Sequence, residues 1–350
     1  MRKSLIPIIF AAIFLSCNNN KNIPDVSSIK INIETRRFEQ DFFAMDTNKV
    51  AESMKAILQK YPDFLPQFTG NILGLDLDSL LVPHNPQDQA VRMFIHDYSA
   101  IKDSSDLIFH NFSKETEAIK KGMQFVKYYF PKYQLPQSII TFIGPINANF
   151  ETSFGVQGDV LTTKSFGIGL ILHLGKKFSF YGTPEVLEQY PAYISNNFDA
   201  DHIPINCMRN IIDDMFHDQS NGKPLIEQMV IRGRRMYLLE KFLPYTPEYE
   251  LLGYTKLQTK ASYNNEVVIW NFFLNNELLN KTDPNIIKNY IGESPKTEEL
   301  GEDSPGNIGT FEGLQIVKKY MEMYPETSLT DLMKMNAREI YEKSKYKPRT

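Results

Sequence analysis

Residues 211–217 read Ile211-Ile212-Asp213-Asp214-Met215-Phe216-His217 and close a predicted helix. Two histidines four apart on a helix, with a glutamate beside the first, can hold zinc and activate its water. That spacing puts both imidazoles on one face. Here the outline survives with altered contents: Asp213 stands at the first histidine, Asp214 at the glutamate, and only His217 keeps its type. A third ligand would come from the next helix, at a Glu-Gly pair, where this chain has Arg232-Gly233. A guanidinium stays protonated and has no lone pair to give a metal. Asp213, Asp214, His217 and Arg232 therefore read as a degenerate metal site, with no catalytic residue, metal or other cofactor expected. Asp213 and His217 keep the i,i+4 spacing for a harder cation, but the plainer reading has His217 flanking a helix end before Asp218-Gln219-Ser220-Asn221-Gly222. A carboxylate is costly to bury alone. Asp213 or Asp214 is thus expected to face Arg232, whose charge would replace the metal's, the alternative being solvated charges. If they meet, Arg232→Met should destabilise the fold severely.

Other chemistry is thin. His84, His96, His110, His173 and His202 are scattered and fall in no metal spacing. Gly167-Ile168-Gly169 lacks the third glycine and the following helix of a dinucleotide loop. No serine sits in a nucleophile elbow. Met321 and Met323 with Tyr320 and Tyr324 read as helix packing, and Cys207 as a core residue.

The elements that would carry these residues are mostly helical. Ile29, Ile31 and Ile33 alternate with Lys30 and Asn32, which predicts a short strand. A helix through Val50, Met54, Ile57 and Leu58 stops at Tyr61-Pro62, and others fit 87–102 and 113–130. Ile139 to Ile143 and the glycine-bounded Ser165 to Gly175 are strands expected to pair, with a turn at Gly155 to Asp159. Beyond Pro204 helices fit 205–217, 224–243, 264–280, 310–324 and 328–344, with a loop at 301–309. The fold class is α+β, helix-dominated, with a small β-sheet packed on helices.

The chain opens MRKSLIPIIFAAIFLSC: two basic residues, an apolar run too short to span a bilayer, and a small residue before Cys17. That is a secretory signal over 1–16, cut so that Cys17 becomes the first residue. Phe14-Leu15-Ser16-Cys17 resembles a bacterial lipobox, with Phe14 in place of the usual leucine, so lipidation of Cys17 is expected. Residues 17–27 read as a flexible tether and 28–350 as one domain, with a possible sub-boundary near 131–138. Removing residues 1–16 leaves 36 basic against 42 acidic side chains, a net charge of −6. That balance, without a dense Lys/Arg run, argues against nucleic acid as a partner and against electrostatic membrane binding. With Cys17 acylated, Cys207 has no partner for a disulfide.

The lipobox, Arg37-Phe38-Glu39 with Asp41-Phe42-Phe43, Ser165 to Tyr181, Pro224 to Pro244 and Gly306 to Gly313 together resemble the gliding motility-associated lipoprotein GldB family of Bacteroidota. The resemblance covers essentially the whole mature chain. The carboxy-terminal half is also similar to predicted zinc proteases, which points to a zincin-like core whose ligands are replaced at Asp213 and Arg232. The GldB resemblance implies a non-catalytic lipoprotein of the cell envelope, on the outer membrane facing the periplasm. It would support gliding and the associated type IX secretion machinery through protein–protein contacts with envelope motility and secretion proteins. Two other readings stay open: a zinc-dependent metallopeptidase with an unusual ligand set, and a periplasmic lipoprotein that binds a ligand in the old active-site cleft.

Overall fold

The computed structural model describes residues 23–348, so the leader, Cys17 and the start of the tether lie outside the described residues. Its strands are β1 (Glu34–Arg37), β2 (Ser138–Phe142), β3 (Phe150–Thr152), β4 (Gly155–Gln157), β5 (Val160–Leu161) and β6 (Ser165–Gly169). One sheet has the order β1-β2-β6-β5, while β3 and β4 form a separate antiparallel hairpin. β1, β2 and β6 are parallel, Thr35 facing Ile139 and Ile139 facing Phe166; β5 is antiparallel at the edge. Parallel neighbours need a crossover instead of a tight turn. The one from β1 to β2 contains helices α1 (Val50–Lys60) and α2 (Ser113–Tyr129). The rest is helical, as the α+β class requires, with α3 (Ile203–Met215), α4 (Leu225–Phe242), α5 (Ile308–Met323) and α6 (Ala337–Ser344) dominating the second half.

The sheet lies between two hydrophobic cores. Side chains of β2 alternate across it: Ile139 enters the larger core, Ile140 and Phe142 the smaller. On β6, Phe166 and Ile168 belong to the larger core, and Gly167 faces the other way. A methyl group on Gly167 would meet Val160 at 2.9 Å and Phe64 at 3.2 Å. The glycine pattern of β6 thus makes room for aromatic rings. In the smaller core Phe38 packs on Phe64 and Phe68, and Phe42 on Phe68, edge to face with centroids 4.7–5.0 Å apart. The charged residues between those phenylalanines fasten this core to its surroundings. Glu39, fully buried, takes Arg37 Nε at 2.5 Å and the Thr141 hydroxyl at 2.6 Å, while Arg37 Nη1 donates to the Phe109 carbonyl at 2.6 Å. Asp41 receives Lys60 and the Tyr61 hydroxyl, both at 2.5 Å. Arg37-Phe38-Glu39 and Asp41-Phe42-Phe43 are therefore a structural clasp.

In the larger core α4 and α5 cross on bare backbone. A methyl group on Gly233 would stand 2.1 Å from the Gly313 carbonyl carbon, and one on Gly313 would stand 1.8 Å from the Met229 carbonyl oxygen. Gly306 is equally confined, against the Ser294 carbonyl at 1.9 Å. Within α5, Gly309 and Gly313 are thus the positions that let it lie close against α4, while Gly306 seats the loop before it.

Several boundaries differ from expectation. The strand expected at 29–33 forms instead at Glu34–Arg37, because Ser138 is where β2 begins to offer a partner. Ile31 and Ile33 alternate only because they pack, half-buried, against the larger core. The helix expected over 87–102 is two, Asp88–Asp97 and Ser99–Ile108, joined at Tyr98, whose ring stacks on Phe94 at 4.7 Å. That over 328–344 also divides, Leu329–Lys334 being followed by α6, which Asn336 caps through the amides of Arg338 and Glu339. Gly155 to Gln157 is a strand of the hairpin where a turn was expected. The tether ends early, since Val26 is buried and its carbonyl accepts from Ile29.

Candidate functional site

A cavity of about 900 Å³ opens between the β3–β4 hairpin, α3, α4 and the loops near residues 197, 253 and 294. Ser153, at the tip of the hairpin, is where these elements meet. Its amide donates to Asp213 Oδ2 at 2.9 Å, and its hydroxyl donates to Asp213 Oδ1. From α4, Arg235 Nη1 reaches Asp213 Oδ1 at 2.5 Å and Ser153 Oγ at 2.9 Å, while its Nη2 donates to the Phe216 carbonyl just past the end of α3. Arg232, one turn earlier, donates through Nη1 to the Ser153 carbonyl at 3.2 Å. Asp213 thus has its counter-charge, and the arginines lock the hairpin onto two helices.

This arrangement corrects the sequence reading in two respects. The partner of Asp213 is Arg235, not Arg232. Helix α3 ends at Met215, and Phe216 has extended backbone, so Asp213 and His217 do not share one helix face. His217 is exposed. Asp214 does not line the cavity and accepts from the Tyr133 hydroxyl at 2.7 Å; burial first, and that bond second, raise the phenol's pKa. Among the described residues, no three His, Cys, Asp or Glu side chains gather as a metal-ligand set. The four expected positions do fall on adjoining elements, but as an ion pair, two solvated groups and a cavity-lining guanidinium.

Sequence reasoning missed a second cluster on the wall of the same cavity. His173 Nε2 lies 2.8 Å from Asp159 Oδ2, and His173 Nδ1 lies 3.1 Å from the Asp199 carbonyl. Both groups facing the ring are acceptors, so both ring nitrogens donate and the imidazole is cationic. Burial is the strongest single influence and pushes its pKa down, yet the Asp159 charge, the hydrogen bonds to Asp159 and to the Asp199 carbonyl, and the Asp199 charge together outweigh it, and the net shift is upward. Asp159 also accepts from the Gly169 amide and from Asn206 Nδ2, both at 2.9 Å, so the pair is buried and saturated. The signal available was a single histidine inside the apolar run Leu170 to Leu174. Cys207, nearby on α3, is fully buried, and burial followed by the Asp159 charge raises its thiol pKa, which keeps it protonated and inert.

Arg209, on α3, also lines the cavity. Its Nη2 donates to the Leu251 carbonyl at 2.9 Å, and its guanidinium lies 5.4 Å from the Phe154 ring centroid. Facing these cations is the accessible carboxyl of Glu293; burial raises its pKa, against the opposing pull of Arg209 and Arg232. The cavity is thus equipped to hold and orient a polar ligand.

These features define a helix-dominated α+β protein with a hairpin-covered, arginine-lined cleft. Among its described residues, no helix is long and apolar enough to cross a membrane. The chain belongs to the family described as gliding motility protein GldB, whose model matches residues 19–348. No curated protein and no solved structure matches it.

Proposed function

We propose that the protein is a non-catalytic lipoprotein of the cell envelope, held by acyl chains on Cys17, that supports gliding and the associated type IX secretion machinery through protein–protein contacts. Family membership across residues 19–348 carries the proposal, because it ties the chain to gliding motility. The site is compatible with it. Asp213, the position nearest to a metal ligand, is already satisfied by Arg235 and Ser153. A protein of this kind sits on the outer membrane facing the periplasm, its folded body tied there by the residues before Val26.

The test is genetic. Deleting the gene abolishes gliding or type IX secretion, whereas a chromosomal Asp213→Asn/Asp214→Ala/His217→Ala variant keeps both. Asparagine is used at Asp213 because its carbonyl oxygen can still accept from Arg235 and from the Ser153 hydroxyl. Stoichiometric zinc in the purified protein, or loss of gliding in that variant at normal protein level, would overturn the proposal in favour of a metallopeptidase.

A further inference from the structure

We infer that Arg209 and Arg232 form a receptor for an oxyanion, the carboxylate or phosphate group of a ligand that enters the cleft beside the β3–β4 hairpin. The inference concerns what the cleft binds and does not depend on the envelope role.

Three guanidinium groups converge on this cavity, and they are not equivalent. Arg235 is paired with Asp213 at 2.5 Å. Arg209 and Arg232 have no carboxylate within 4 Å among the described residues. Each is aimed instead by a single backbone carbonyl, Leu251 for Arg209 and Ser153 for Arg232. The Nε of each is buried without a hydrogen-bond partner. Charge of this kind is costly to hold away from water unless an anion meets it. The strain is visible in Arg209, whose pKa burial pushes down to about 10. The carboxylates that act on the pair do so from longer range: Glu293 and Asp213 on both, and Asp218 on Arg232.

A guanidinium offers a planar fork that matches carboxylate and phosphate oxygens. The cavity, about 900 Å³, is far larger than a bare ion, so the anionic group belongs to a larger molecule. Asn197, Thr255 and Asn307 line the same space and offer neutral hydrogen bonds to the remainder. Glu293 lines it as well and acts on both arginines, so it competes with an incoming anion. Its removal should therefore strengthen binding, which a generic cationic surface would not require.

The experiment uses the full-length lipidated protein in detergent, titrated with sodium succinate or sodium phosphate against sodium chloride at equal ionic strength. Thermal melting and calorimetry read the binding. Expected is a saturable response to at least one of the two anions beyond chloride, the stronger one identifying a carboxylate or a phosphate ligand. Arg209→Met and Arg232→Met each weaken it by tenfold or more, and Glu293→Gln tightens it about tenfold, the weight of one carboxylate several ångströms away. Glu293 is exposed in the cleft, so Glu293→Gln tests the idea even if an arginine variant folds poorly. No response beyond chloride, or an affinity unchanged by Glu293→Gln, would overturn the receptor; gliding assays would be untouched by that failure.

Discussion

At the scale of single residues, Asp213 decides how the cavity is built. Its side chain keeps 24% of its exposure and that of Arg235 only 3%, so most of the pair is out of water. Removing the cation would orphan a carboxylate that also holds Ser153. Arg235→Met should therefore destabilise the protein by about 3 kcal/mol, the low end for breaking a buried pair, since Asp213 retains some solvent. Arg232→Met removes one hydrogen bond to a carbonyl and no short ion pair, and should cost about 1 kcal/mol or less. Urea unfolding of both variants checks the order; the reverse order would return the role to Arg232. The sequence offered a cation from the following helix for Asp213 or Asp214 as one of two readings, the other being solvated charges. Which of Arg232, Arg234 and Arg235 supplies it was not legible there. The choice rests on how α4 is rotated against a hairpin whose Ser153 lies 60 residues from Asp213 in the chain. Arg234, between the other two, turns to the opposite side and donates to the Met335 carbonyl at 2.8 Å.

At the scale of elements, helices were legible because their apolar spacing is local, whereas strands depend on partners distant in the chain. The helix expected at 224–243 forms at Leu225–Phe242, and the expected pairing of residues 139–143 with 165–175 forms as β2 against β6. The first strand was misplaced because alternation records which side chains are half-buried and cannot say where a ladder begins. Glycines were harder still, since close approach between helices leaves no periodic mark. The α4–α5 crossing yields the sharpest expectation. Gly313→Ala puts a methyl group 1.8 Å from a backbone carbonyl oxygen that cannot rotate aside. It should destabilise by about 3 kcal/mol, the upper end of the usual cost of overpacking. Gly182→Ala, with nothing within 4 Å of the added carbon, is the control and should change stability by about 0.5 kcal/mol or less. Equal melting temperatures for the two variants would mean that the helices do not cross on Gly313.

At the scale of the whole molecule, buried groups hold protons that the unfolded chain would hold less tightly, and two of them, His173 and Glu312, act on stability with the same sign. In His173 burial pulls the pKa down, but Asp159 and Asp199 together raise it above its ordinary 6.5. Glu312 on α5 is fully buried, and burial, followed by the charge of Glu266, lifts its pKa well above 4.5 against a smaller opposing pull from Tyr346. The Tyr346 hydroxyl lies 2.5 Å from Glu266 Oε1 and 3.0 Å from Glu312 Oε2. One hydroxyl proton cannot serve two carboxylates. Tyr346 donates to Glu266, and a protonated Glu312 donates to Tyr346, which ties the end of the described chain onto α5. Because the folded pKa is the higher one, the stability from Glu312 is complete below about pH 4.5 and is lost as the pH climbs through the folded value. His173 adds a second loss that begins above its unfolded pKa of about 6.5. Glu312→Gln keeps a neutral side chain of the same shape at every pH, so it has no proton to lose. Its urea midpoint should match that of the wild type near pH 4 and exceed it increasingly toward pH 8. Parallel curves for the two proteins across that range would show that Glu312 is ionised in the folded state, and the proton link between Tyr346 and α5 would then have to be abandoned.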